Sequence, residues 1–260
     1  YPVSLAQRDN TLYVLNNGGQ ANVVGFQIEL NGQLQQIKGS KRQLGVSPPL
    51  VGAQPDVARA PAQLQFTPNG DFLVVTVKNQ DSHGSIQLYA VDAKDQLAQQ
   101  PVTTAVTDTQ PFGFTFDKHG NLLTSEAGSG AAASYAVGTD GKLSAITSAV
   151  PNGQGGVCWL DASRHFAYTA NAGSNTISAF TVDAQGHLAL LGGKQVAASL
   201  GTGHGPTDLK ISSDGNFINV VNSVAGSVST LLINDDGSLQ VLGETPVFPA
   251  GQGMQGIAVN

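Results

Sequence analysis

The chain has little positive charge and a single cysteine, and both shortages exclude whole classes of protein. Of its 260 residues, 12 are Lys or Arg and 18 are Asp or Glu, which gives a net charge of −6. No basic cluster is longer than Lys41–Arg42, so the basic stripe needed for nucleic-acid binding is missing. The single cysteine, Cys158, cannot form a disulfide within the chain, and we interpret it as a small apolar residue.

Long apolar runs are missing as well. No stretch approaches the roughly 20 apolar residues of a membrane span, and there is no basic amphipathic helix. Only three residues are Glu, whereas Gln, Asn, Ser and Thr abound, and this polar composition predicts a secreted or periplasmic protein. The chain starts at Tyr1 without a signal peptide, so we expect a removed leader or a trimmed N-terminus. No nucleotide-binding glycine motif, Ser-centred elbow or zinc-spaced His/Cys set occurs, so no cofactor or metal is predicted.

What the sequence does contain is a repeat. Each copy ends with an alternating apolar strand, a short polar turn and a leucine, and these leucines lie 45 to 63 residues apart: Leu34, Leu97, Leu143, Leu188 and Leu239. Each copy opens near Tyr1, Pro61, Pro111, Gly155 or Pro206. Alternation at period two predicts opening strands with one face in a core, marked by an apolar column of Leu5, Leu64, Phe114, Cys158 and Leu209.

Units of this length with about four short strands predict an all-β fold, a β-propeller of four-stranded antiparallel blades. We expect five complete blades in one domain over residues 1–260, followed by one more opening strand at Met254–Asn260. A lone opening strand would leave its hydrogen-bonding groups unpaired. The sequence therefore predicts that a segment of about two blades before Tyr1 is lacking and that a separate N-terminal fragment completes the propeller.

The connection Lys41–Ala60 is unusually long and contains three prolines, Pro48, Pro49 and Pro55. Regular strand pairing is not expected there, because proline cannot donate to a sheet. We predict a loop that partly covers the ligand-binding face.

Several segments resemble the lactonase-type seven-bladed propellers. Ser212–Phe217 (SSDGNF) is similar to the family's S-P-D-G-R-F turn, and Tyr168–Phe180 (YTANAGSNTISAF) is similar to its Y-V-x-N-x-G-S-N-T-I-S-V-F segment. Pro111–Asp117 and Tyr13–Gly19 fit the same pattern. The family includes 6-phosphogluconolactonases and a muconate-lactonising enzyme, and its members are usually about two blades longer. The resemblance implies a seven-bladed ring and, for enzymatic members, His, Arg and Glu around the channel mouth.

In a propeller, the loops before the first strands and after the second strands meet at one channel mouth, the default ligand site. Glu126 and His204 are the candidate acid/base residues, because each is an ionisable group at such a position. Candidate ligand contacts there are Arg59, Lys78, Asn16, Asn171, Asn222 and Gln110. The cations could hold a carboxylate or phosphate. Each residue also has a structural alternative: the asparagines stabilise turns, and the charged residues are solvated.

The expected family residues are only partly present. Ala60–Pro61 stands where an enzyme often has His-x-His or Pro-His, and Ala170–Gly173 (ANAG) lacks the Arg of the common S-N-R-G. Glu126 alone matches in type. Two functions therefore remain open: a hydrolase that binds a small polar or anionic molecule and opens a lactone, or a non-catalytic exported propeller that binds a sugar, peptide or protein.

Overall fold

The computed structural model describes residues 1–79, 84–106 and 109–259. These residues form β-strands and one short 3-10 turn at Leu191–Gly193, and the described part of the chain contains no α-helix. None of its helical segments is long and apolar enough to span a membrane. The predicted all-β fold of antiparallel four-stranded blades is confirmed.

The chain divides into two compact units, Tyr1–Phe112 with Val137–Leu143, and Gly113–Ala136 with Ser144–Asn260. The first unit contains two blades and the long connection between them. Its strands are β1 (Pro2–Arg8), β2 (Thr11–Asn16), β3 (Asn22–Ile28), β4 (Leu34–Gln36), β5 (Arg42–Gln43), β6 (Leu50–Val51), β7 (Gln54–Pro55), β8 (Pro61–Phe66), β9 (Phe72–Val77), β10 (Gly84–Ala90) and β11 (Val102–Val106). Within this unit β1 packs beside β8, as the first strands of successive propeller blades do.

The remaining three sheets have the same meander order. The third blade has β12 (Pro111–Phe116), β13 (Leu122–Glu126), β14 (Ala131–Val137) and β15 (Leu143–Pro151). The other strands are β16 (Val157–Ser163), β17 (Phe166–Asn171), β18 (Thr176–Val182), β19 (Leu188–Leu190), β20 (Ala198–Ser199), β21 (Pro206–Ile211), β22 (Phe217–Asn222), β23 (Ser227–Ile233) and β24 (Leu239–Pro246). In the second unit β16 packs beside β21.

The blades bury apolar side chains between their faces. In the first unit the core between the first two blades includes Tyr13, Leu15 and Leu64. In the second unit Ile177 and Leu209 belong to the core shared by the fourth and fifth blades. Each fully buried Leu or Ile contributes about 1.5–3 kcal/mol relative to exposure. Blade stacking therefore supplies the main stabilising term in both units.

Two tyrosines connect neighbouring blades in the same way. Tyr13 on β2 donates its hydroxyl hydrogen bond to the carbonyl of Asp95, in the β10–β11 turn, at 2.7 Å. Tyr168 on β17 donates to the carbonyl of Gly237, in the β23–β24 turn, at 2.9 Å. Burial raises the pKa of the Tyr168 phenol above its usual range, so the hydroxyl stays protonated and can donate this bond. Each bond fixes the turn of one blade on the second strand of the blade before it.

The pairing register corrects part of the predicted repeat alignment. Val157 pairs with Asn171 as Pro206 pairs with Asn222, so the fourth blade opens at Val157 and not at Gly155. Leu160, which is buried, therefore takes the column position that was predicted for Cys158. Gly155 and Gly156 precede β16, where Gly173 donates its N–H to the carbonyl of Gly155, and taking them as part of the strand shifted the sequence alignment by two residues.

The first blade departs from the predicted column. Leu64, Phe114 and Leu209 are buried, but Leu5 is 62% exposed. On β1 the residues that enter the core are those of the opposite face, such as Ala6. The apolar alternation thus located β1 correctly but assigned Leu5 to a core that does not cover it.

The connection Lys41–Ala60 contains more strand pairing than predicted. β5 pairs with β3, and β6 pairs with β7, in two short ladders. Of the three prolines only Pro55 lies in one of these strands, at the end of the two-residue β7, whereas Pro48 and Pro49 precede β6. Arg42 is buried, and its Nε donates to the carbonyl of Ala98 at 2.7 Å, which holds this connection on the second blade. Its position relative to a ligand stays a prediction.

The segment from Met254 onward is not a strand in its described part, and Asn260 lies outside the described residues. The backbone N–H of Ile257 nevertheless donates to the carboxylate of Asp208 on β21. Leu64 donates in the same way to Ser4 on β1, at 3.2 Å. Ile257 thus makes the same hydrogen bond to the first strand of the preceding blade that Leu64 makes. In the described residues, however, no partner strand pairs with the segment that contains Ile257.

Candidate functional site

The end of the second strand of each blade is the position that sequence analysis selected as the channel mouth. In the fourth blade this residue is Asn171, which is fully buried. Its Oδ1 accepts from Asn152 Nδ2 and from Thr169 Oγ1, both at 3.1 Å. Its Nδ2 donates to Thr176 Oγ1 at 3.1 Å and to Ser178 Oγ at 2.9 Å. These four bonds use the whole hydrogen-bonding capacity of the amide, so Asn171 holds its blade together.

Asn222 occupies the same position in the fifth blade. Its Nδ2 donates to Ser227 Oγ at 3.1 Å and to Ser229 Oγ at 2.8 Å, which repeats the pattern of the fourth blade. The amide is fully buried, and its Oδ1 has no hydrogen-bond partner among the residues that the structure describes. Val220 stands where the fourth blade has Thr169, because Val220 pairs with Ser229 as Thr169 pairs with Ser178. The fifth blade therefore lacks the hydroxyl that donates to the corresponding Oδ1 in the fourth blade.

Glu126 takes this position in the third blade. It pairs with Ala131 as Asn171 pairs with Thr176, and it is 1% exposed. Ser129, an exposed residue of the following turn, donates from Oγ to Glu126 Oε2 at 3.0 Å. Burial raises the pKa of the Glu126 carboxyl to about 7, and the Ser129 hydrogen bond offsets this only in part. The group can therefore gain and lose a proton near neutral pH.

Tyr135 lies on the same face of the blade as Glu126, and its pKa depends on the charge of this carboxyl. Burial raises the pKa of the Tyr135 phenol to about 12, and the negative charge of Glu126 adds to the rise. Tyr135 pairs with Leu122, and Ala131 pairs with Glu126. The two pairs are four residues apart along each strand, so the side chains of Tyr135 and Glu126 lie on one face of the blade. Tyr135 is thus expected to stay neutral at any pH at which Glu126 titrates.

His204 precedes β21 in a glycine-rich loop. Its Nδ1 lies 2.9 Å from the carbonyl oxygen of Gly201, and its Nε2 lies 2.9 Å from Glu244 Oε2. Both neighbours are acceptors, so both ring nitrogens donate and the imidazolium form is favoured. The hydrogen bond to Glu244 is the largest cause that raises the pKa of His204. The pKa of Glu244 is lowered, chiefly by a hydrogen bond from Ser227 and next by the one from His204.

These contacts join two of the predicted site residues. Asn222 donates to Ser227, Ser227 donates to Glu244, and Glu244 accepts from His204. Sequence reasoning identified Asn222 and His204 but missed Ser227 and Glu244 between them. The signal for Ser227 was present: a hydroxyl residue follows the strand-ending Asn at the same spacing in the fourth and fifth blades, as Thr176 and Ser227.

The predicted cations lie in the first unit. Lys78 is buried, and its ammonium stands 3.8 Å from the centroid of the Phe112 ring, a cation–π contact. Arg59 forms an ion pair with Asp56, three residues before it in the connection to the second blade. Both charges are thus engaged by groups of their own unit, and their contact with a ligand stays a prediction.

The remaining predicted contacts also lie in the first unit. Asn16 donates from Nδ2 to Asn22 Oδ1 at 3.4 Å, across the pair that closes β2 and β3. Gln110 is half-buried and has a φ of 51°, a left-handed conformation just before β12. Such a backbone is uncommon for a residue with a side chain and often marks a functional site. In the part of the chain that the structure describes, no three His, Cys, Asp or Glu residues are grouped to hold a metal ion.

The sequence pattern of the family described as "Lactonase, 7-bladed beta-propeller" matches residues 49–160 and 159–254. The chain belongs to this family. Its fold is similar to a protein of Lactobacillus plantarum, with 20% identity, 96% of this chain and 72% of that chain covered, and a TM-score of 0.73. It is also similar to a candidate 6-phosphogluconolactonase of Bacteroides uniformis, with 16% identity, 95% and 72% covered, and a TM-score of 0.74.

A periplasmic gluconolactonase of Pseudomonas aeruginosa is similar as well, with 19% identity, 96% of this chain and 86% of that chain covered, and a TM-score of 0.60. At such identities the likeness shows the fold alone. No curated protein matches the chain in sequence. The family is therefore established, whereas the chemistry depends on the residues described above.

Proposed function

We propose that this propeller binds a small polar or anionic molecule at its channel mouth and hydrolyses a lactone, with Glu126 as the general base. Membership of the lactonase family supports a lactonase-like function. The observation that carries the proposal is the replacement of a buried structural Asn by a buried carboxyl at the end of β13. The blade has no structural need for a charge there, because Asn171 fills the same position in the fourth blade with complete hydrogen bonding.

The chemistry asked of Glu126 is a single proton transfer. Its carboxylate removes a proton from water, and the water oxygen attacks the lactone carbonyl to form a tetrahedral oxyanion. When this intermediate collapses, the ring C–O bond breaks, and the alkoxide takes up the proton to give a hydroxy acid. A base with a pKa of about 7 is half ionised at neutral pH and still basic enough to accept the proton.

The other predicted residues have separate proposed roles. His204 remains a candidate catalytic residue, and its favoured imidazolium form suits a proton donor better than a base. Lys78 and Arg59 remain proposed anion contacts, since a cation would stabilise an oxyanion or a substrate carboxylate. Asn16, Asn171, Asn222 and Gln110 remain proposed contacts, of which Asn171 would have to exchange a hydrogen bond of its blade for one to a ligand.

The test is a comparison of Glu126→Gln with Glu29→Gln. Glu29 is exposed, so the control makes the same chemical change without touching the blade interior. Acid release from six-membered sugar lactones, with and without a phosphate group, is followed by titration at constant pH. We expect Glu126→Gln to lose about 10²–10⁴-fold in rate while remaining folded, and Glu29→Gln to keep the wild-type rate. Full activity in Glu126→Gln would remove this residue from the mechanism.

The second function, a non-catalytic exported propeller that binds a sugar, peptide or protein, is favoured by one observation. The chain has Ala60 and Ala172 at positions where enzymatic relatives of the family are expected to have His or Arg. Absence of hydrolysis for every lactone tested, together with binding of an unmodified sugar or peptide in calorimetry, would favour this function.

We also propose that the protein is exported, to the periplasm or beyond. The weakly charged, polar composition supports this, and one structural relative is a periplasmic enzyme. Fractionation of cells that express the complete gene product checks the location. Recovery only with cytoplasmic markers would contradict it.

A further inference from the structure

The third blade differs from its neighbours in more than one residue at the end of its second strand. In the fourth blade Asn171 is surrounded by three hydroxyl groups, those of Thr169, Thr176 and Ser178. The pairing register gives the corresponding positions of the third blade. Thr124 corresponds to Thr169, Ala131 to Thr176 and Ala133 to Ser178.

The fifth blade follows the fourth at two of these positions. Asn222 donates to Ser227 and Ser229, the equivalents of Thr176 and Ser178. The pattern of an amide followed by two hydroxyls at fixed spacing therefore occurs in the fourth and fifth blades, whereas the third blade has a carboxyl followed by two alanines, Ala131 and Ala133.

The one hydroxyl that the third blade retains is directed elsewhere. Thr124 Oγ1 lies 3.3 Å from the carbonyl of Gly113 and 3.1 Å from that of Ser125, and it donates to these backbone groups. Thr169, by contrast, donates to its strand-ending Asn. Ala131 and Ala133 are both fully buried, and their methyl groups can neither donate nor accept a hydrogen bond. Glu126 accepts a side-chain hydrogen bond from Ser129, in the exposed turn.

We propose that Ala131 and Ala133 are positioning residues for Glu126: they keep its surroundings free of the hydroxyl groups that tie down the asparagines, so that the carboxyl stays available to take and return a proton. The last clause rests on the proposed function, whereas the effect on the carboxyl does not. A carboxylate that accepts hydrogen bonds from hydroxyls is stabilised in its charged form, so alanines favour the neutral acid. The alanines also leave room for Glu, whose side chain is one methylene longer than that of Asn.

The first experiment restores a hydroxyl beside the wild-type carboxyl. Ala133→Ser is compared with Ala132→Ser, in which the new hydroxyl lies on the opposite face of β14. The protonation of Glu126 is followed by the infrared carbonyl band that is lost in Glu126→Gln. We expect the titration midpoint to fall by about 1 pH unit in Ala133→Ser and to stay unchanged in Ala132→Ser. An unchanged midpoint in Ala133→Ser would overturn the proposal.

The second experiment transfers the whole set from the fifth blade and remains informative if Ala133→Ser does not fold. Glu126→Asn alone should lower the urea midpoint of unfolding, because the buried amide lacks the two hydroxyl acceptors that Ser227 and Ser229 supply to Asn222. Adding Ala131→Ser and Ala133→Ser should restore the midpoint. If the two serines give no recovery, the alanines do not control this site and the proposal is wrong.

Activity separates the two proposals. If the protein hydrolyses lactones, the acidic limb of its pH–rate profile should move with the Glu126 midpoint in Ala133→Ser. A shifted midpoint without any hydrolysis would support the role of the alanines and count against the proposed function. Hydrolysis with an unshifted midpoint would do the reverse.

Discussion

Ser125 donates a hydrogen bond from its Oγ to the backbone carbonyl of Cys158 at 2.9 Å, and so joins the second strand of the third blade to the first strand of the fourth. The same Oγ accepts from the backbone N–H of Gly113 at 3.0 Å. Thr76 on β9 makes the equivalent bond in the first unit, to the carbonyl of Phe112 at 2.7 Å. A buried hydroxyl one residue before the end of the second strand is thus a recurrent connection between blades.

Removal of this hydroxyl should destabilise the second unit. Ser125→Ala leaves the Cys158 carbonyl and the Gly113 N–H without this partner, at a cost of about 1–3 kcal/mol in unfolding free energy. Urea unfolding can be followed by the fluorescence of Trp159, the only tryptophan of the chain. Ser144→Ala, at an exposed position of β15, is the control and should change stability by less than about 0.5 kcal/mol. Equal stabilities of the two variants would contradict the role of Ser125.

Gly113 is expected to be required by the close approach of β16. A Cβ at this position would lie 2.8 Å from both Cα and Cδ2 of Trp159, and the first of these atoms is backbone that cannot rotate away. Gly113→Ala should therefore cost about 1–3 kcal/mol through overpacking and alter the Trp159 emission. Gly243→Ala on β24 is the matched control, because nothing lies within 4 Å of the added Cβ. A Gly113→Ala protein with wild-type stability would show that β16 can shift at no cost.

The buried carboxyl of Glu126 should be visible in the pH dependence of stability, whatever the protein binds. Its pKa is about 7 in the folded chain against an ordinary 4.5, so the folded state holds a proton that the unfolded state releases between these values. Unfolding free energy should accordingly fall as pH rises from 4.5 to about 7, by on the order of 3 kcal/mol from this group.

Glu126→Gln removes that contribution. The difference in unfolding free energy between Glu126→Gln and the wild type should thus grow in favour of the variant as pH rises through the same window. Comparison with the variant is needed because Asp208, whose pKa burial raises to about 7, titrates in the same range. Glu29→Gln should follow the wild-type curve. Parallel curves for the wild type and Glu126→Gln would show that the carboxyl titrates normally.

The sequence was sufficient to predict the blades, because alternating apolar strands and polar turns are local patterns repeated five times. It misplaced the opening of the fourth blade by two residues, since Gly155 and Gly156 precede β16 and this strand lacks the proline with which the first strands of the other blades begin. The candidate site was predicted only as a set of positions. Asn171 uses its amide for hydrogen bonds within the blade, and His204 contacts Glu244. Both facts depend on contacts between residues that are far apart in sequence. Glu126 was identified because it breaks a repeated column, which a single sequence can reveal.

The contact between His204 and Glu244 leads to the last prediction. Both ring nitrogens of His204 face acceptors, so the pKa of His204 is raised above its ordinary 6.5, chiefly by the Glu244 hydrogen bond. The stability that the imidazolium contributes is therefore complete below pH 6.5 and is lost as pH rises through the folded-state pKa. Proton NMR of the His204 ring should show a midpoint above 6.5, and Glu244→Gln should move it down towards that value because the negative partner is gone.

In His204→Gln the stability loss above pH 6.5 should be smaller than in the wild type, whereas the exposed His119→Gln should leave it unchanged. A wild-type midpoint at or below 6.5, or no response to Glu244→Gln, would mean that the two side chains do not form this pair in solution.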